Sequence, residues 1–193
     1  MERLRILREA GTLLYQHFGC RFANIVERAN HSGAQLVNLL VEYFPSFRDE
    51  AVFHGKRVHI YKRAQILVAD VWACFNGTSY GEFHDIEKLT MFADYRIPQM
   101  LNSLGCLKYS PPLESRIRRQ QQLESGETRE VELRGCSIWC VELIRRQILK
   151  EHRETSVNAV LIDFFLYDMT KEREAAGEED EMSPHHRTRS IWY

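Results

Sequence analysis

The sequence predicts an all-α protein. Apolar residues recur at three- and four-residue spacing along most of its length, helix-stop signals follow these runs, and neither an internal repeat nor a βαβ alternation is present. Leu4, Leu7, Leu14 and Phe18 share one face ahead of Gly19, which predicts a first amphipathic helix. Ser32 with Gln35 reads as a capping box before the run Leu36 to Phe44, which Pro45 ends. The strongest helical pattern runs from about Val58 to Phe75, with Ala64, Leu67, Val68, Val71, Trp72 and Phe75 on one broad face and Asn76-Gly77 as its stop. Pro98 to Leu104 follows as a short helix closed by Gly105. Pro111-Pro112 opens another, which carries Arg116, Arg118 and Arg119 and is over by Gly126. Cys136 to Lys150 and Val157 to about Lys171 are two more. Only Phe53 to Ile60 and Leu107 to Tyr109 have the character of short strands.

The 193 residues, 44% hydrophobic and 27% charged, suit one domain with a real core, expected over residues 1–176. An acidic linker, 177–184, follows, and then a segment, 185–193, whose Ile191, Trp192 and Tyr193 are expected to dock on the domain. A formal net charge of −1 gives no global attraction for nucleic acid or an anionic membrane. No stretch approaches the roughly 20 apolar residues of a membrane helix, and no apolar core of a signal peptide follows Met1-Glu2-Arg3-Leu4-Arg5. The five cysteines, odd in number and mostly inside apolar stretches, read as reduced core residues, so the expected location is cytoplasmic. Cys136 and Cys140 share a helix face and His185 adjoins His186, but neither pair has the further ligands of a metal site; no metal and no cofactor is expected. No Gly-rich phosphate loop, GxSxG motif or Cys–His pairing supports triphosphate or acyl-transfer chemistry.

Two acids stand out. In Thr90 to Gln99, Pro98 is expected to push Ile97 out of the αR region, so that a helix starts or breaks beside Asp94, between Phe92 and Tyr95. Asp94 either caps the following helix or presents a carboxylate to a flat ligand. In Ile162 to Asp168, Asp163 and Tyr167 share a helix face, whereas Asp168 lies about 140° from Asp163. A carboxylate in that apolar setting either pairs with Arg145, Arg146 or Arg153, or accepts two parallel hydrogen bonds from a guanine-like edge. For a phosphate, Lys56-Arg57 and Lys62-Arg63 bracket the start of the strongest helix, where amides and the helix dipole favour an anion; Arg187 and Arg189 compete with them. Arg116 to Gln122 lacks interleaved aromatics and reads as a solvent face.

Four blocks in order also carry a resemblance: Tyr61-Lys62-Arg63-Ala64-Gln65-Ile66-Leu67-Val68-Ala69-Asp70, Thr90-Met91-Phe92-Ala93-Asp94-Tyr95-Arg96-Ile97-Pro98-Gln99, Arg134-Gly135-Cys136-Ser137-Ile138-Trp139-Cys140-Val141-Glu142-Leu143, and His186-Arg187-Thr188-Arg189-Ser190-Ile191-Trp192-Tyr193. With them the chain resembles the queuosine salvage protein family, the queuosine 5'-phosphate N-glycosylases/hydrolases. The resemblance implies that Asp94 is the catalytic carboxylate and that Phe92 and Ala93 line the base pocket. It assigns base recognition to Ile162, Asp163 and Tyr167, where the family often has Trp at the last position. Lys62, Arg63 and Arg187 are the expected phosphate partners. The substrate implied is the small nucleotide itself, with no direct nucleic acid and no membrane; a monomer is favoured, as is an all-helical fold distantly similar to helix-hairpin-helix DNA glycosylases. Family members carry a further N-terminal, aromatic-rich portion that helps to enclose the ligand. The alternative function is a non-catalytic helical module that binds a nucleotide or a protein.

Overall fold

Among residues 2–177 and 182–193, which the computed structural model describes, the chain forms eight α-helices and one two-stranded antiparallel sheet, so the all-α expectation holds. Two compact units emerge: Met1–Asp49 with Tyr61–Leu89, and Glu50–Ile60 with Thr90–Tyr193. No helix among the described residues is long and apolar enough to cross a membrane. Half of the expected linker over 177–184, residues 178–181, lies outside them. Nothing in the helix order supports the likeness to helix-hairpin-helix glycosylases.

The first unit contains α1 (Glu2–Phe18), α2 (Ala23–Arg28), α3 (Gly33–Tyr43) and α4 (Lys62–Cys74). Half of the expected capping box forms: Ser32 Oγ accepts the Gln35 N–H, while the Ser32 N–H goes to Ala29 O. The start of α3 also meets a buried carboxylate, since Asp85 accepts from Gly33 N at 2.6 Å and from Ser32 Oγ at 2.7 Å. Burial works against that charge, but these two bonds, with His84 and Lys88, hold Asp85 below the usual carboxylate range. A side chain at Gly33 would crowd the neighbouring helix, because a Cβ there would come within 3.3 Å of Val68 Cγ1. Helix α4 begins at Lys62 rather than near Val58: Tyr61 is left-handed (φ 51°), and residues 56–59 pair as a strand.

That strand belongs to the second unit. β1 (Glu50–Phe53) and β2 (Lys56–His59) form a hairpin turned by His54-Gly55, both at positive φ, as the two-residue turn that matches strand twist requires. Helices α5 (Arg96–Ser103), α6 (Pro111–Arg118), α7 (Thr128–Glu151) and α8 (Ala159–Ala176) follow. Their core joins Met91, Ala93, Ile97, Met100 and Leu101 to Val141, Ile162 and Leu166. Residues 107–109, expected as a strand, form none. Tyr109 packs instead beside Leu113, Ile117 and Leu123, with its hydroxyl on Pro98 O.

Two helix starts differ from expectation for physical reasons. Ile97 is helical although it precedes proline, because Pro98 sits in the first turn of α5, where no intrahelical N–H bond is required. Helix α7 begins eight residues before Cys136 and runs through Gly135, on its exposed face, while Val131, Leu133, Arg134, Ser137 and Val141 bury the opposite face. A Cβ at Gly135 would meet nothing within 4 Å. Gly135→Ala should therefore stabilise the protein by about 0.5–1 kcal/mol in urea unfolding; a destabilised variant would show that this turn is not a plain helix. The cysteines depart further: Cys20 and Cys106 are exposed in turns after α1 and α5, while Cys74 and Cys136 are exposed and Cys140 half-buried on helices that turn other faces inward.

Candidate active site

Residues 89–95 form an irregular segment, yet Leu89, Met91, Phe92 and Ala93 are buried. Buried irregular backbone has no ladder to satisfy it, so its polar groups need side-chain partners. Two helices supply them. Asp163 Oδ2, on α8, accepts the Phe92 N–H at 2.8 Å, and Arg134 Nε, on α7, donates to Ala93 O at 3.0 Å. The Asp94 N–H donates back to Phe92 O at 2.7 Å.

This segment delivers Asp94 to the start of α5. Asp94 Oδ1 accepts the N–H groups of Arg96 (2.8 Å) and Ile97 (3.1 Å), two of the donors that a helix start leaves open. Oδ2 makes no hydrogen bond among the described residues, and the side chain is partly exposed. One oxygen is thus spent on the helix start. The capping role expected of Asp94 is formed, and it uses one oxygen of the carboxylate.

Ile162 and Asp163 are buried on α8; Tyr167, one turn on, is 42% exposed with the Lys171 ammonium 5.6 Å over its ring. Phe92 faces Phe164 at 6.2 Å between ring centroids. Phe92, Ala93, Ile162 and Asp163 therefore meet in one place, and Tyr167 lies beyond them at the surface. Arg145 and Arg146 both bind Glu142, which holds that carboxyl down to about 2. Of the cations named for phosphate, Arg187 is exposed, and its carbonyl oxygen accepts from Leu123 N at 2.7 Å. Lys62 and Arg63 belong to the first unit, where Lys62 N–H is taken by Asp49 Oδ2 and Arg63 lies over the Phe47 ring. A cavity of about 330 Å³ in that unit, between Glu27, His31, Tyr80 and Glu82, holds none of the expected site residues.

Behind Ala93 lies a buried polar network whose role sequence reading missed. Glu130 and Arg134 are 1% and 2% exposed and 3.5 Å apart. Glu130 also accepts from Tyr193 Oη at 2.6 Å and from Gly126 N at 3.0 Å. Tyr193 lies over the Arg134 guanidinium and stacks on Tyr95, which in turn meets the His185 ring at 4.6 Å. The only signal in the sequence was two charges at i and i+4 on a face otherwise apolar. Within 182–193 the deepest side chains are Met182 and His186; the expected anchors Ile191, Trp192 and Tyr193 are half-buried.

His186 Nε2 lies 3.3 Å from Tyr193 Oη, while its buried Nδ1 has no hydrogen-bond partner among the described residues. Burial above all, then His185 and Arg134, push its pKa down to about 4 from an ordinary 6.5. The unfolded chain therefore takes up this proton first as pH falls below about 6.5. Stability drops until about pH 4, by about 3 kcal/mol from this group alone. An imidazole resonance of His186 that titrates near 4 in NMR is the expected result; a midpoint near 6.5 would contradict the buried, uncharged ring.

The whole chain, residues 1–193, matches the queuosine salvage protein family. Over its full length it is 49% identical to the queuosine 5'-phosphate N-glycosylase/hydrolase of Mus musculus, and 43% identical to the proteins of that name from Schizosaccharomyces pombe and Sphaerobacter thermophilus. It spans 57%, 56% and 57% of these three relatives, little more than half of each.

Proposed function

The chain belongs to the queuosine salvage protein family, and from that membership we propose that it hydrolyses the N-glycosidic bond of queuosine 5'-phosphate, releasing queuine for salvage into tRNA. The bond from the ribose C1' to the base nitrogen breaks; water gives its hydroxyl to C1' and a proton to the departing base. Positive charge develops at C1' and the ring oxygen, and a fixed carboxylate beside them lowers the barrier. The observation that carries the reading is Asp94: two amide bonds to Oδ1 hold it rigidly, and Oδ2 remains available.

In this reading Phe92, Ala93 and Ile162 give the base an apolar wall. Asp163 accepts from its ring N–H and exocyclic amine, and Tyr167 stacks at the rim. Lys62, Arg63 and Arg187 are the proposed phosphate partners. Calorimetry tests the base edge: a 7-deazaguanine nucleotide should bind well and adenosine 5'-phosphate poorly, because adenine presents an acceptor where the guanine-like ring presents a donor. Equal binding of the two would remove Asp163 from base recognition.

A further inference from the structure

We propose that Tyr193 and Arg134 are positioning residues for the Asp94 carboxylate, an inference that rests on the reading of Asp94 as the reacting group. The peptide plane between Ala93 and Asp94 is held at both ends. Arg134 Nε binds its carbonyl at 3.0 Å, and its N–H reaches Phe92 O at 2.7 Å. Rotation of the backbone into Asp94 is thereby restricted, and the direction of Oδ2 with it. Arg134 holds that place because Glu130 pairs with it and Tyr193 covers it, the ring centroid 5.2 Å from the guanidinium carbon.

Tyr193 also acts on the other side of Asp94. Its ring lies 6.4 Å from that of Tyr95 at an interplanar angle of 22°, and its hydroxyl donates to Glu130 Oε1 at 2.6 Å. One side chain therefore supports both sequence neighbours of Asp94, residue 93 through Arg134 and residue 95 by stacking. A displacement near 1 Å of a reacting group can cost about 10²-fold in rate, so a support that touches no substrate still governs turnover.

The test compares the wild-type chain with Tyr193→Leu, Tyr193→Phe and Arg134→Lys. Tyr193→Leu removes ring and hydroxyl, Tyr193→Phe returns the ring, and Arg134→Lys keeps the charge but loses the Nε–H on Ala93. With queuosine 5'-phosphate, Tyr193→Leu and Arg134→Lys should lower kcat by about 10- to 100-fold with KM within about twofold, and Tyr193→Phe should recover much of the loss. Amide exchange gives a readout independent of activity: Asp94, Arg96 and Ile97 should exchange at least about tenfold faster in Tyr193→Leu while α8 is unchanged. Unchanged kcat and exchange would overturn the proposal, and so would a loss of protection spread evenly over the second unit, the mark of a purely structural role. Failure of the wild-type chain to release base would count against the reading of Asp94 instead, and exchange alone would then decide the positioning.

Discussion

Asp94→Asn should slow the release of queuine by a factor of about 10² to 10⁴ while the fold stays intact. The structure makes this substitution clean, because the amide oxygen can still accept the Arg96 and Ile97 N–H groups, and only the charge is lost. Asp94→Ala would confound the two roles, since losing the cap itself costs about 1 kcal/mol. Rates and melting temperatures measured together separate them. Near-wild-type turnover with unchanged melting would take Asp94 out of the mechanism and leave it as a helix cap.

The second large effect belongs to Asp163. Asp163→Ala leaves the Phe92 N–H buried without its acceptor, at a cost of about 1–3 kcal/mol in stability, and so damages folding as well as binding. Asp163→Asn is the sharper variant. Its carbonyl oxygen keeps the Phe92 bond, but its amide turns donors toward a base edge that also donates. Affinity for a 7-deazaguanine nucleotide should fall by roughly 10²-fold, two hydrogen bonds' worth, with little change in melting. Unchanged affinity by calorimetry would restrict Asp163 to holding the 89–95 segment.

Features written within a few residues of each other were legible in the sequence. The cap at Ser32, the stop after Phe18 and the cap at Asp94 all appear where local spacing put them. The start of α4 was not, because Tyr61 adopts left-handed backbone just before Lys62, which a tyrosine does not signal. The start of α5 was misread through Pro98, whose disruptive effect vanishes in a first turn. Asp163 was recognised as a buried acid, but its bond to a backbone amide 71 residues away was not legible. The Arg134 bond to Ala93 and the Tyr193 bond to Glu130 span 41 and 63 residues, and no periodicity encodes such pairs. Cys74, Cys136 and Cys140 misled for a related reason: an apolar stretch in sequence is only half apolar in space once a helix turns one face outward.

The central claim is that this chain breaks an N-glycosidic bond with Asp94. Purified chain incubated with queuosine 5'-phosphate, with Asp94→Asn in parallel, should yield free queuine and ribose 5-phosphate in equal amounts from the wild type and almost none from the variant. Equal release from both, or a wild-type chain that binds the nucleotide and returns it uncleaved, would contradict the account.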